Sequence, residues 1–292
     1  MKHLSAILLL LVIFQGCESP NEKQLHISVN SWIGFSPLIY AMEKGWLESL
    51  NIKLHPVVSL SENVHIFQSG KSQAFPGTQF EYHLVQESTP DLIPIIAFDR
   101  SYGGDLVMSN VSIKELQNTK EKIDTYLEMD TINYDLLIDF LKAYDIPKSK
   151  INFIDINQVE IASQFTTVPN RPSLAITYIP YNIELNKKGL KTIASTRQGL
   201  NLLVIDALYI SKEIFAVNKT RMVKLKKLID KAILNLEHDS KEYFEKVAPY
   251  LDGISYPAFL DALKDIKWLN KGISSELKNR LKDAEFPTEN LI

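Results

Sequence analysis

Seven side chains in this sequence combine negative charge with flat aromatic surface: Asp99, Glu128, Asp130 and Asp206, and Trp32, Tyr178 and Tyr181. Carboxylates attract a ligand amine, and an indole or phenol ring stacks on a planar or cationic group. Their places along the chain matter as much as their types. Trp32 follows the run Leu25–Asn30, which alternates apolar and polar residues as a strand does. Thr78 and Gln79 close the brief apolar run Ala74–Thr78. Asp99 and Ser101 close Leu92–Phe98, and Asp130 and Thr131 follow Ile123–Met129. Tyr178 and Tyr181 flank Pro180 after Ser173–Thr177, and Asp206 stands inside the apolar run Leu202–Ile210. Open α/β sheets bind ligands beyond the carboxyl ends of their strands, so these positions are candidate ligand contacts. Gly34 joins them, because a residue without Cβ lets the backbone approach a ligand or turn sharply. Each has a plainer alternative. Trp32 and the tyrosines also suit packing between elements, Thr78, Gln79 and Asp130 suit helix starts, and Asp99 and Asp206 suit carboxylates held by backbone donors. Few basic residues accompany the acids; Arg100 is the main exception and Arg197 the second. That balance favours a cationic or neutral amine over a sulfonate or nitrate, which wants a guanidinium or several free amides.

Catalysis is poorly supported. His3, His26, His55, His65, His83 and His238 are scattered, and neither an HExxH pair, a G-x-S-x-G turn nor a glycine-rich phosphate loop is present. The chain is expected not to be an enzyme, and to need no cofactor and no metal.

The elements that must carry these residues follow from periodicity. Ser36-Pro37 reads as a cap with proline at the first helical position, and Gly45 closes that helix. Ser59–Glu62 and Ser112–Glu115 have capping-box spacing. Strand-like runs alternate with helical ones as far as Ile210, which predicts an α/β fold with largely parallel sheets. From Lys219 onward the pattern is helical only. Met222, Leu225, Leu228, Ile229, Ala232, Ile233 and Leu236 form a stripe at helical spacing, with lysines opposite, as expected of a core-facing surface helix. Three shorter helices are predicted around Lys241–Tyr250, Pro257–Leu269 and Ser275–Lys282.

The chain has 292 residues, 45% hydrophobic and 10% aromatic, with a formal net charge of −3, so a substantial core can form and nothing attracts nucleic acid globally. Lys2 and His3 lead into the unbroken apolar run Ala6–Phe14, then Gln15, Gly16 and Cys17, the sole cysteine. A charged lead, a short apolar core and a small residue before the break describe a secretory signal peptide, too short for the roughly 20 residues of a membrane span. With one cysteine, no intrachain disulfide is possible.

The placement of Cys17 resembles the bacterial lipoprotein signal, in which the cysteine receives lipid and becomes the new N-terminus; an ordinary signal peptide is the alternative. Five further blocks, in order, resemble the periplasmic solute-binding proteins of the thiamine-precursor, sulfonate and nitrate type. They are Asn30-Ser31-Trp32-Ile33-Gly34-Phe35-Ser36-Pro37-Leu38 with its continuation Ala41–Leu47, Asp99-Arg100-Ser101-Tyr102-Gly103-Gly104-Asp105, Thr177-Tyr178-Ile179-Pro180-Tyr181, and Val204-Ile205-Asp206-Ala207-Leu208. The resemblance implies a two-lobed, type II binding-protein fold, each lobe a mixed sheet flanked by helices. It implies a signal peptide over residues 1–17 and a tether over 18–24. Residues 25–105 with 206–292 would form the first lobe and 106–205 the second, with crossings near Gly104–Ser109 and Leu202–Asp206. It further implies a monomer on the outer side of a bacterial membrane, held to the bilayer through Cys17. Such a protein captures a small molecule and delivers it to an ABC permease, or signals to a membrane sensor; a sulfonate or nitrate-type anion binder is a further alternative. In such proteins a turn of the second lobe often offers backbone amides to the ligand, aided by glycine. Here Asp130-Thr131-Ile132 occupies that turn, and the Asp130 carboxylate is expected to compete for those donors.

Overall fold

The computed structural model describes residues 23–165 and 170–292. The signal segment and Cys17 lie outside the described residues. Among the described residues eleven strands form two sheets. The first contains β1 (Leu25–Val29), β2 (Ile52–Pro56), β3 (Ala74–Thr78) and β4 (Leu92–Ser101). The second contains β5 (Asp105–Ser109), β6 (Ile123–Leu127), β7 (Ile151–Asp155), β8 (Ser173–Tyr178) and β9 (Lys191–Ser195). The chain then returns to the first sheet with β10 (Ile205–Ser211) and β11 (Ile266–Trp268). The spatial orders are β11-β4-β10-β3-β1-β2 and β7-β6-β8-β5-β9.

Both sheets are mixed for the same reason. The crossings, residues 102–104 and 196–204, join the sheets at their facing ends. A strand arriving from the other sheet therefore starts at the interface and runs away from it, whereas the resident strands end there. Hence β5 lies antiparallel between β8 and β9, and β10 antiparallel between β3 and β4. The carboxyl ends of β1, β3, β4, β6 and β8 and the amino ends of β5 and β10 converge on one plane between the sheets.

Local signals explain most helix starts. The Ser59 hydroxyl accepts from Glu62 N–H, while the Glu62 carboxylate reaches back one residue further than in a capping box, to Val58 N–H at 2.7 Å. Ser112 and Glu115 form the full reciprocal box. The long helix Lys212–His238 begins earlier than the stripe predicts, capped by the Ser211 hydroxyl, and buries Met222, Leu225, Ile229, Ala232, Ile233 and Leu236. It packs against the helix Ser36–Glu43, where Asn235 Nδ2 donates to Tyr40 Oη at 3.1 Å, and Tyr40 stacks on Tyr243 of the following helix Ser240–Val247 at 4.4 Å. One predicted helix is cut short. The helix Tyr256–Ala262 stops before Ile266–Trp268, which pairs with the end of β4 through Trp268↔Asp99 and Ile266↔Ser101. An open sheet edge with unpaired backbone groups outweighs the helical spacing there.

Candidate ligand-binding cleft

The site is assembled from the strand ends that meet between the sheets. Asp206, the second residue of β10, pairs in register with Thr78 on one side and with Asp99 on the other. A register shift between Asp206 and Ala207 places an extra β4 residue here, a bulge that aims Asp99 toward its partner. Two carboxyls directly opposite each other on neighbouring strands repel when ionised. Both are buried, and neither Asp99 oxygen has a hydrogen-bond partner; Asp206 Oδ2 has none either. Burial first holds both well above the usual carboxylate range; the charge of Asp105 adds to the rise at Asp99, and the charges of Asp99, Asp105 and Glu81 add to it at Asp206.

Three further acids close the group. Asp105 opens β5, and burial pushes its pKa up to about 7. Glu128 follows β6, and burial pushes its pKa up to about 8, against the pull of the Gln158 N–H it accepts at 3.0 Å. Glu81, in the helix Gln79–Gln86, is fully buried, and burial raises it against three donors from Thr78 and Ile132. Four of the five feel another as a repulsive neighbour: Asp99 feels Asp105, Asp105 feels Glu81, Glu128 feels Glu81, and Asp206 feels Asp99, Asp105 and Glu81. Among the described residues no lysine, arginine or histidine offsets any of the five. Arg100 lies over the Tyr102 ring instead. Arg197 bonds Tyr102 O at 3.0 Å and pairs with Asp265 in the hinge region, half-exposed. Neither guanidinium enters the cleft.

Aromatic edges line the same space. Trp32 meets Tyr178 edge-on at 5.9 Å, and Tyr178 meets Tyr181 edge-on at 5.3 Å. The Trp32 N–H sits beside the acidic pair and pulls the Asp99 pKa down, without forming a full hydrogen bond. Gly34 is required by close approach: a Cβ there would collide with the Asp99 carboxylate and Trp32 Nε1, and one at Gly104 would press on the far edge of the same indole.

The cavity these groups enclose measures about 10 Å³ and is lined by Trp32, Thr78, Asp105, Ile132, Tyr178 and Asp206 among others. That holds at most one water molecule. Admission of a solute therefore requires the two sheets to part. Contacts between them keep the cleft shut: Tyr181 Oη to Ser31 Oγ at 2.9 Å, Trp32 against Tyr178, and Glu81 to Ile132 N–H at 3.1 Å. Thr196 stitches the two crossings together, meeting Ser101 Oγ at 2.8 Å and accepting from Gly103 N–H at 2.8 Å. A hollow of about 540 Å³ at the rim, between Tyr181–Lys187 and Asp252–Ala258, marks the outer lip of the cleft. A larger one of about 670 Å³ lies away from the acids, against the hinge segment Asn201–Leu203 and the helix Ser275–Asp283.

The candidate residues thus separate into groups. Trp32, Thr78, Tyr178 and Asp206 line the cavity, Gly34 and Asp99 pack against Trp32 and Asp206, and Tyr181 packs on Tyr178. Ser101 serves the hinge, its hydroxyl accepting from Asp105 N–H at 3.1 Å. Gln79 ties down the return strand: its amide oxygen accepts from Ile205 N–H and its nitrogen donates to Leu203 O. Thr131 is buried and caps the helix Ile132–Ala143. Asp130 is exposed and takes none of that helix's N–H donors, contrary to expectation; the carboxylate that takes the Ile132 N–H is Glu81, from the helix Gln79–Gln86 across the cleft. Glu81 and Thr196 are contributors that sequence reasoning did not put in the site; Asp105, the last residue of the Asp99–Asp105 block, joins them. A capping-box pattern, Thr78 followed by Glu81, was the available signal for the first. Among the described residues no cluster of three or more His, Cys, Asp or Glu side chains could hold a metal ion.

The same two-sheet arrangement recurs among solved structures. The alkanesulfonate-binding protein SsuA from Xanthomonas axonopodis pv. citri, bound to MOPS, superposes with a TM-score of 0.70 at 13% identity, covering 90% of this chain and 91% of that one. The fold is that of the periplasmic binding proteins. A ligand-binding component of an ABC-type import system from Staphylococcus aureus gives 0.69 at 13% identity, with 90% and 92% covered. The periplasmic aliphatic sulphonate binding protein SsuA from Escherichia coli gives 0.65 at 11%, with 91% and 89% covered. No protein-family model matches the chain, and no curated protein matches it in sequence. Among the described residues no helix is long and apolar enough to cross a membrane.

Proposed function

We propose that this chain is an exported solute-binding protein whose two lobes close on a small organic cation or amine-bearing aromatic, a pyrimidine-like base being the model solute. The lobes are residues 25–105 with 206–292, and 106–205. The observation that carries the reading is the buried acid cluster: Asp105 and Asp206 line the cavity with Trp32 and Tyr178, Asp99, Glu81 and Glu128 are buried as well, and no counter-cation stands among the five. A buried carboxylate group of this size is costly alone and becomes favourable when a cation enters it. The ring edges add a surface on which a flat heterocycle stacks. Binding without turnover, delivery to an ABC permease and lipid attachment at Cys17 complete the proposal, following the resemblance of the leader and of the five sequence blocks.

The test is a thermal-shift and calorimetric screen of aminopyrimidines, aliphatic amines and sulfonates against the purified mature protein. Stabilisation by amine-bearing compounds, lost in Asp99→Asn/Asp206→Asn, supports the reading. Stabilisation by sulfonates alone overturns it. For the anchor, Cys17→Ser is expected to release the protein from the membrane fraction and abolish labelling by a radioactive fatty acid.

A further inference from the structure

The capping glutamate of the helix Gln79–Gln86 does more than cap. One of its oxygens, Oε2, accepts from Thr78 N–H at 2.7 Å and from the Thr78 hydroxyl at 2.6 Å, inside its own lobe. The other, Oε1, crosses the cleft and accepts from Ile132 N–H at 3.1 Å. Ile132 is the first residue of the twelve-residue helix Ile132–Ala143. The next donor of that helix, Asn133 N–H, is taken by the Thr131 hydroxyl at 3.3 Å, and Tyr134 N–H returns to Thr131 O. The other full capping box supplies an internal comparison. Glu115 is exposed and places a single oxygen on Ser112 N–H and hydroxyl, within its own turn. Among the described residues only Glu81 carries the carboxylate of a full capping box into the opposite lobe.

We propose that Glu81 is a specificity-determining residue: its carboxylate is a built-in anion that occupies the helix N-terminus of the second lobe and so bars anionic solutes from the cleft. The inference rests on the solute-binding reading above and deepens it. A helix N-terminus is the natural anion receptor of an α/β cleft, since its free N–H groups and dipole both favour negative charge. Here the receptor is filled from within, by a fully buried side chain whose two oxygens act only as acceptors, as an ionised carboxylate does. A sulfonate or phosphate reaching this point would displace Glu81 from Ile132 and face Asp105, Glu128 and Asp206 besides. A cationic solute meets the opposite situation, because Glu81 remains bonded and adds its charge to the attraction. The same bond joins the lobes, so Glu81 ties closure to the choice of solute.

The test compares wild type, Glu81→Ala, Glu81→Gln and Glu115→Ala by calorimetry with inorganic sulfate, methanesulfonate and a 4-aminopyrimidine. Circular dichroism confirms that each variant is folded. Glu81→Gln keeps the side-chain volume and an acceptor for Thr78 should the alanine variant fail to fold. Wild type and Glu115→Ala are expected to ignore both anions, whereas the Glu81 variants gain at least about tenfold in affinity for them and lose affinity for the amine. Glu115→Ala removes a comparable cap, so it separates anion admission from a general loosening. Folded Glu81 variants that still ignore both anions overturn the proposal, as does a wild type that binds sulfate as tightly as they do. The aminopyrimidine titration of wild type keeps the two ideas apart. Amine binding without anion gain in the variants removes the role of Glu81 and leaves the solute reading standing. Anion gain in the variants without amine binding by wild type does the reverse.

Discussion

Replacing Asp105 by Asn isolates the energetic penalty of one buried acid. Asp105 is 4% exposed. Burial raises its pKa from 3.8 to about 7, with Glu81 adding to the rise and the Ser101 hydroxyl opposing it. A carboxyl whose pKa is higher in the folded state keeps its proton better there than in the unfolded chain. Its contribution to stability is therefore full below about pH 4, falls as pH climbs, and is gone above about pH 7. Roughly 3 pH units at about 1.4 kcal/mol each set a ceiling near 4 kcal/mol on that loss. Water entry and relaxation lower the real figure, so about 2 kcal/mol is the working magnitude. Asparagine has the same shape, carries no charge to desolvate, and turns its amide hydrogens toward a neighbourhood rich in carboxylate acceptors. The expected result is a variant about 2 kcal/mol more stable than wild type at pH 8, or a Tm about 4 °C higher for a chain of this size. The gain should shrink to nothing near pH 4. Thermal unfolding of both ligand-free proteins, followed by circular dichroism at half-unit steps from pH 4 to 8.5, measures it. A variant that melts below wild type at pH 8, or by a constant offset at every pH, would rule out a charge penalty at this position.

Three further outcomes follow from the cleft. Gly34→Ala drives a Cβ into Asp99 and Trp32 and should lower stability by about 1–3 kcal/mol, with a shift in tryptophan emission; an unchanged Tm would contradict the close approach. Tyr181→Phe removes the bond to Ser31 and should weaken closure by about 1 kcal/mol, seen as a larger radius of gyration in solution scattering of the ligand-free protein and a several-fold weaker solute affinity. Because Asp105 and Glu128 titrate near pH 7 and 8, binding of a cation should expel about one proton at pH 7 and tighten between pH 6 and 8. Calorimetry in buffers of different ionisation enthalpy reads that proton directly, and identical heats in all buffers would exclude it.

The alternation of strand and helix, the capping boxes and the apolar stripe of the long helix were all legible in the sequence, because each is a local pattern of a few neighbouring residues. So was the position of most candidate residues, since a polar or aromatic residue after an apolar run marks a strand end wherever the strand goes. The helix expected over Pro257–Leu269 was misread in part, since the pull of the β4 edge on Ile266–Trp268 comes from residues more than 160 positions away. Asp130 and Gln79 show the same limit. Both stand beside a strand end, and only the packing decides that one turns to solvent and the other holds down the return strand.

By itself the sequence determined which side chains are available for chemistry: acids and rings without matching cations, on a chain that alternates strand and helix. Tertiary structure alone decided that Asp99 and Asp206 stand opposite each other, because their contact depends on β10 inserting antiparallel beside β4 after the chain has built and left the second sheet. It alone decided that Glu81 answers to Ile132, because that hydrogen bond exists only when the two lobes are together. A contact whose partners lie in different sheets depends on where the chain returns, and no window of neighbouring residues carries that information.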